Sequence, residues 1–154
     1  VNVFPDNETF QQSLIQMCML SKKVDHKNTK IAILSATETP ISSVPSSVKA
    51  KELELWAKEN LQVSVSGPLS IDLAISEEAR NIKGIKDNSV AGKANCFLVP
   101  DLVSGNILYK SIVYFCGGCA AGVVLGGKIP ILLTSRADPL QSRLASIALA
   151  SIAC

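Results

Sequence analysis

Lys93-Ala-Asn-Cys-Phe-Leu-Val-Pro-Asp-Leu-Val-Ser-Gly-Asn106-Ile-Leu-Tyr-Lys110, then an apolar, glycine-rich passage, then Pro130-Ile-Leu-Leu-Thr-Ser-Arg-Ala-Asp138, is the stretch that decides the fold. It holds two hydrophobic strand candidates, residues 95–99 and 129–133, and each stops at a polar turn leading into a helical pattern. In open parallel sheets the ligand crevice lies beyond the carboxyl ends of the strands. Helix N-termini there offer unpaired backbone N–H groups to anions. The chemistry of the chain is therefore expected at these two turns.

Outward from that stretch, the N-terminal part supplies alternating elements. Phe10, Leu14, Ile15, Cys18 and Met19 fall at helical spacing, so residues 8–22 read as an amphipathic helix whose Met and Cys side chains pack in the core. Residues 30–35, Lys-Ile-Ala-Ile-Leu-Ser, read as a buried parallel strand with apolar side chains on both faces. A Ser/Thr/Pro-rich loop follows over residues 36–46. Residues 48–60 then form a helix with Leu53 and Trp56 inward and Lys49, Lys51, Glu54, Lys58 and Glu59 outward.

Residues 62–66 are the next strand, ended by the turn Gly67-Pro68, which places Ser70 or Asp72 near the start of a helix. Asp72 could hold a ligand hydroxyl or orient a basic side chain; equally, it is an acid favoured by the dipole of an early helical turn. The segment up to Gly92 is a polar connector into residues 95–99, taken as the central strand. After Pro100-Asp101, Ser104-Gly105-Asn106 opens a helix running through Lys110 and Tyr114. Gly105 either clears space for a phosphate at the helix start or is a spacer beside an N-cap by Ser104. Residues 122–125 and 129–133 make two more strands around a Gly-Gly-Lys turn. The final helix, residues 139–153, is apolar along Leu144, Ile147, Ala148 and Ile152, a side that asks for a surface to cover. Strands alternating with helices give an α/β sandwich around a mostly parallel sheet.

The composition of the 154 residues narrows the function classes. Hydrophobic residues make up 47% and charged residues 18%, and mean hydropathy is +0.30, which points either to more buried surface than a free-standing domain of this size needs or to apolar surface meant for a partner. Net charge is +2 with lysines scattered, so no stripe suited to nucleic acid is seen. The uncharged run 111–127 is shorter than the roughly 20 residues a membrane span needs and is broken by glycines. The opening Val-Asn-Val-Phe-Pro-Asp6 has neither the basic nor the apolar region of a secretory signal, and without a Met it reads as a piece of something longer. Five cysteines, Cys18, Cys96, Cys116, Cys119 and Cys154, in apolar surroundings fit reduced thiols in a cytoplasmic protein. Cys116-Gly-Gly-Cys119 follows a helix rather than starting one, so it reads as a helix stop and not as a redox pair. With His26 the lone histidine and no second cysteine pair, no metal site is expected.

Four motifs in register then stop being generic. Gly67-Pro-Leu-Ser-Ile-Asp72, Val90-Ala-Gly-Lys-Ala-Asn95, Pro100-Asp-Leu-Val-Ser-Gly-Asn106-Ile-Leu-Tyr-Lys110 and Leu133-Thr-Ser-Arg-Ala-Asp138 together resemble the phosphate acetyl/butyryltransferase family, with the last closer to the butyryltransferase branch. Members of that family are about twice as long, so the resemblance is to their C-terminal half. It implies that residues 1–135 are a second α/β lobe, a three-layer sandwich of the isocitrate/isopropylmalate dehydrogenase kind. Residues 136–154 would carry a C-terminal helix docking toward an absent first lobe. The implied reaction moves an acetyl- or butyryl-type group between coenzyme A and inorganic phosphate, with coenzyme A as substrate, no tightly bound cofactor and a homodimer as the assembly.

The resemblance carries Ser135 and Arg136 onto the family's Ser-Arg pair: Arg136 to neutralise the phosphoryl group or a developing oxyanion, Ser135 to position the thiol or the carbonyl oxygen. A helix-flanking salt bridge is the structural alternative for Arg136. Asp101, Gly105, Asn106 and Lys110 are carried over as lining the substrate site, together with Asp72. In the acetyltransferase branch the proposed proton acceptor is a carboxylate seven residues after the motif serine, and here that position is Ser142. Asp138 is the acid close by, yet Asp138-Pro139 also has the form of an N-cap followed by Pro at the first helical position. Two other readings compete: a catalytically inactive transacetylase-like lobe acting as a dimerisation or regulatory module, and a generic nucleotide-binding domain. The latter is weakened because neither G-x-G-x-x-G nor G-x-x-x-x-G-K-[ST] occurs.

Overall fold

The computed structural model describes residues 2–24 and 28–153; His26 and Cys154 lie outside the described residues. The chain begins with helix α1 (Asn7–Lys23), capped by Asp6, whose carboxylate accepts from the Thr9 N–H at 2.8 Å. Strand β1 (Lys30–Leu34), helix α2 (Pro45–Asn60), strand β2 (Ser64–Leu69) and the short helices α3 (Ile71–Ile75) and α4 (Glu77–Ile82) follow. Strand β3 (Cys96–Leu98), helix α5 (Leu102–Cys116), the two-residue strands β4 (Val123–Val124) and β5 (Ile131–Leu132), and helix α6 (Leu140–Ala153) complete it.

β2, β1 and β3 form a parallel three-stranded sheet in that order. β1, not the strand before Pro100, is therefore central. Its sequence explains the place: Ile31 and Ile33 point to one face and Ala32 and Leu34 to the other, and all four are buried. On the first face they meet Phe10, Leu14 and Cys18 of α1 and Ala50, Leu53 and Ala57 of α2. On the second they meet Leu73 and Ala74 of α3 with Val90 and Ala91, the end of what the sequence reads as a polar connector. Trp56 packs partly buried against the first cluster, as does Met17, whereas Met19 is 58% exposed and does not join the core.

Several elements depart from the sequence reading. β2 runs past Ser66 through Gly67-Pro68, joined by a cis peptide bond, to Leu69. A proline is tolerated there because β2 is an edge strand of this sheet and its register against β1 shifts at that point. The strand at 129–133 does not extend the parallel sheet. It pairs antiparallel with β4 in a separate two-stranded sheet, since the short Gly126-Gly127-Lys128 connection can close a hairpin but not a parallel crossover.

Helix α6 docks on this chain by its polar side. Its serine side faces inward: Ser146 is buried, its hydroxyl donating to the Ser142 carbonyl at 2.8 Å and accepting from the Gly122 N–H at 3.0 Å. Leu144, Ile147 and Ile152 stay exposed. α5 ends as its glycines suggest, with Gly117 in the left-handed conformation at the C-cap.

Glu54 is the clearest correction. It is not on the solvated face of α2 but buried, with its carboxylate accepting from Lys51 Nζ at 2.6 Å, Lys58 Nζ at 3.0 Å and the Ser66 hydroxyl at 3.3 Å. Burial pushes its pKa up, but the hydrogen bonds from Lys51 and Lys58 outweigh that and hold it below the ordinary glutamate range. A carboxyl whose pKa is depressed on folding stabilises the protein above its unfolded pKa, and the contribution disappears as pH falls through the folded value. Thermal unfolding should show a wild-type stability that falls below about pH 4.3 more steeply than that of Glu54→Gln. At neutral pH Glu54→Ala should cost about 1–3 kcal/mol.

Gly67 marks the tightest packing of β2 on β1 and α2. A Cβ there would lie 2.7 Å from Ile33 Cβ and 3.2 Å from the Ala50 carbonyl oxygen. Gly67→Ala should destabilise by roughly 1–3 kcal/mol or more in denaturant titrations, because neither neighbour is a flexible chain end.

Candidate active site

The carboxyl edge of the parallel sheet gathers polar residues from three loops. After β1 comes Glu38, after β2 come Ser70 and Asp72, and after β3 comes Asp101 at the head of α5. Lys83, just past α4, ties the first two together: its Nζ lies 2.7 Å from Glu38 Oε1, 3.0 Å from Asp72 Oδ2 and 3.2 Å from Ser70 Oγ. The Ser70 hydroxyl donates to Glu38 Oε1 at 2.6 Å. Hydrogen bonds from Ser70 first and Lys83 second hold the Asp72 carboxyl down to about 2; the bond from Lys83, then that from Ser70, lowers Glu38, and Glu38 first and Asp72 second raise Lys83. Asp72 thus orients a basic side chain, one of the two roles its position allows.

Asp101, rather than Ser104, caps α5. Its carboxylate accepts from the Ser104 N–H at 2.8 Å and the Ser104 hydroxyl at 3.0 Å, and these bonds, the backbone one first, lower its pKa. Gly105 sits in the first turn against β3; a Cβ there would meet Val99 Cγ2 at 2.8 Å, so close helix–strand packing accounts for the glycine. Asn106 and Tyr109 are exposed, and Lys110 Nζ stands 5.4 Å from the Tyr109 ring centroid and 5.9 Å from that of Tyr114.

The Thr134–Asp138 segment follows β5 as a tight turn. The Asp138 N–H donates to the Ser135 carbonyl at 3.1 Å, and the Ser135 N–H donates to Asp138 Oδ2 at 2.6 Å. The Asp138 carboxylate thus closes its own turn instead of capping α6, which begins at Leu140. Its other oxygen accepts from the Tyr109 hydroxyl at 3.5 Å, and desolvation with the nearby Asp138 charge raises the tyrosine's pKa. Arg136 is exposed and makes no ion pair among the described residues, so no helix-flanking salt bridge holds it. Ser142 is 3% exposed, its hydroxyl 3.7 Å from Cys119 Sγ, and it packs α6 onto the preceding segment.

Of the residues singled out by sequence, Ser135, Arg136 and Asp138 therefore share one turn, and Tyr109 brings that turn to the helix carrying Gly105, Asn106 and Lys110. Asp101 shares a groove of about 460 Å³ with Leu133, two residues before Ser135. Asp72 belongs to the separate Glu38–Lys83 cluster, and among the described residues no hydrogen bond or ion pair joins it to the turn. Tyr109, Glu38 and Lys83 are joined to these residues by the structure and are not singled out by the sequence. Tyr109 lies inside the motif of residues 100–110, but Glu38 sits in a loop with nothing to announce a partner 45 positions away. Among the described residues no three His, Cys, Asp or Glu side chains group as metal ligands, and no helix is long and apolar enough to cross a membrane.

Comparison with known proteins agrees with these motifs. Residues 1–151 match the family described as phosphate acetyl/butaryl transferase. A phosphate acetyltransferase of Rhizobium meliloti is 41% identical over 155 residues, covering 99% of this chain and 48% of that protein. A probable phosphate butyryltransferase of Bacillus subtilis is 40% identical, covering 97% of this chain and 50% of that one. The crystal structure of a branched-chain phosphotransacylase from Enterococcus faecalis superposes with a TM-score of 0.90 at 35% identity, over 99% of this chain and 55% of the other. The chain spans about half the length of the curated relatives it matches. On the strength of a match over nearly all of its residues, this α/β chain belongs to the phosphate acetyl/butaryl transferase family.

Proposed function

We propose that residues 1–135 form the second α/β lobe of a phosphate acyltransferase about twice this length, and that residues 136–154 carry the helix that docks toward its first lobe. The helices on both faces of β2-β1-β3 support a three-layer sandwich of the isocitrate/isopropylmalate dehydrogenase kind. The complete protein, a cytoplasmic homodimer, exchanges an acetyl- or butyryl-type group between coenzyme A and inorganic phosphate.

The observation that carries this reading is Arg136: an exposed guanidinium with no ion-pair partner among the described residues, one position from Ser135, in a turn fixed by Asp138. An unneutralised fork of donors on a fixed turn suits a phosphoryl group. In the direction that consumes acyl phosphate, the coenzyme A thiol loses its proton and its sulfur attacks the carbonyl carbon. The tetrahedral oxyanion then collapses with departure of phosphate. No covalent enzyme intermediate is needed when both substrates are held together. Arg136 neutralises the phosphoryl or oxyanion charge, Ser135 positions the thiol or carbonyl, and Asp72, Asp101, Gly105, Asn106 and Lys110 belong to the substrate-binding side. Asp138 is the candidate proton acceptor of the turn, because Ser142 has no carboxylate to offer and packs inward.

Ser142 also favours a second reading, that of an inactive transacetylase-like lobe serving as a dimerisation or regulatory module. The two separate in one experiment: thiol release from acetyl-CoA and butyryl-CoA in the presence of phosphate, on the full-length protein. Arg136→Ala should lower kcat/KM by on the order of 10²–10³, with Arg136→Lys in between, since it keeps the charge and loses the fork. Turnover that Arg136→Ala leaves intact would sink the role given to Arg136, and a full-length protein inert with both substrates would favour the module.

A further inference from the structure

The amino edge of the parallel sheet, opposite the turns that carry Ser135 and Asp101, holds a pocket of about 550 Å³ that acyl transfer leaves unexplained. Lys30 at the start of β1, Arg80 in α4, and Lys86, Asp87, Asn88 and Lys93 from the connector into β3 line it. Four cations thus face one carboxylate of the lining, in a chain whose whole net charge is only +2.

The way these cations are held points the same way. Arg80 Nε donates to the Ile85 carbonyl at 2.8 Å and Nη2 to the Lys86 carbonyl at 2.5 Å, so the guanidinium is oriented by backbone carbonyls and not by a carboxylate. Lys30 and Lys86 make no ion pair among the described residues; Lys93 shares Glu77 at 3.2 Å, an exposed contact of small worth. The loop is tied by side-chain hydrogen bonds where it turns into the core. Asn88 Oδ1 accepts from the Val90 and Ala91 N–H groups, each at 2.9 Å, and Asn88 Nδ2 donates to the Ser66 hydroxyl at 2.8 Å. The Lys30 N–H is satisfied by Asn95 Oδ1 at 2.8 Å, so side chains and not the strand's amides face the space. Like charges gathered around one open depression repel one another unless an anion enters, and four cations against the single carboxylate of Asp87 leave more positive charge than the roughly two negative charges of one phosphate can neutralise.

We propose that this pocket is a second anion site, separate from the acyl-transfer site, for a small oligophosphate carrying two or more linked phosphoryl groups. Occupancy joins β1, α4 and the connector that positions β3, the strand leading to Asp101. The proposal does not depend on acyl transfer, and its test reads binding alone.

Isothermal titration of the full-length protein with tripolyphosphate at low salt should give saturable binding. The double substitution Lys30→Gln with Lys86→Gln should weaken it at least about tenfold, roughly the worth of one charge-assisted contact, while Arg136→Ala leaves it unchanged. Added sodium chloride should weaken binding further. Circular dichroism melts of each variant establish that the fold is intact. Absence of saturable binding, a double variant that binds like the wild type, or loss of binding in Arg136→Ala would each overturn the proposal, the last by assigning the anion to the substrate turn.

Discussion

Burial of β1 on both faces is the constraint from which the other placements follow. A strand with Ile31 and Ile33 on one side and Ala32 and Leu34 on the other needs cover on both faces; each large side chain buried contributes about 1.5–3 kcal/mol. It must have packed elements above and below, and its backbone groups pair with a strand on either hand. That requirement puts β2 and β3 beside it in parallel, brings α1 and α2 onto one face, and folds Val90-Ala91 under the other. Because all three strands run the same way, the loops after them open on one edge. The Glu38–Asp72 cluster and, apart from it, Asp101 lie along that edge for topological reasons before any chemistry is considered.

The fold was legible where one residue type could mean only one thing. Ile-Ala-Ile-Leu without a polar interruption reads as a strand buried twice over, and the helical spacing from Phe10 to Cys18 gave α1 to within a residue at each end. Legibility failed where a residue's meaning depends on a distant partner. Glu54, between Lys51 and Lys58, has the pattern of a solvated helix face. Its burial follows from Ser66, on a strand that packs against α2, and no spacing rule reports that. The direction of β5 was open for a related reason: the apolar run gave the strand, but the neighbour it pairs with was set by the length of the Gly126-Gly127-Lys128 connection.

The candidate site shows the same division. Motifs located the Ser135–Asp138 turn, Asp101 and the α5 helix, but a motif gives positions and not the hydrogen bonds that join them. Asp138-Pro139 is written like a helix start, and the carboxylate instead turns back to the Ser135 N–H. Ser104 looks like a cap, yet an aspartate three residues earlier is the better acceptor and takes both the N–H and the hydroxyl of Ser104. A side-chain oxygen has several nearby donors within reach, and the backbone angles around it decide among them.

What distinguishes this chain from a free-standing α/β domain is where its apolar surface lies. No residue of α5 is buried: Ile107, Ile112 and Phe115 face outward, with Phe115 88% exposed, although the helix is largely apolar. α6 docks by its serines and leaves Leu144, Ile147 and Ile152 in the open, and both residues of β5 are exposed. These elements surround the Ser135–Asp138 turn, whereas the β1 core on the other side of α1 is closed on both faces. An apolar face left in water gains nothing for the fold that bears it, so this distribution is the one expected if further protein belongs over the turn. That agrees with a chain spanning about half of its relatives, and it gives the two-lobe proposal a physical basis independent of the motifs. In that arrangement the surface that covers the apolar face also shields Arg136 from water, and a guanidinium so shielded acts on a phosphoryl group more strongly than one left in solvent.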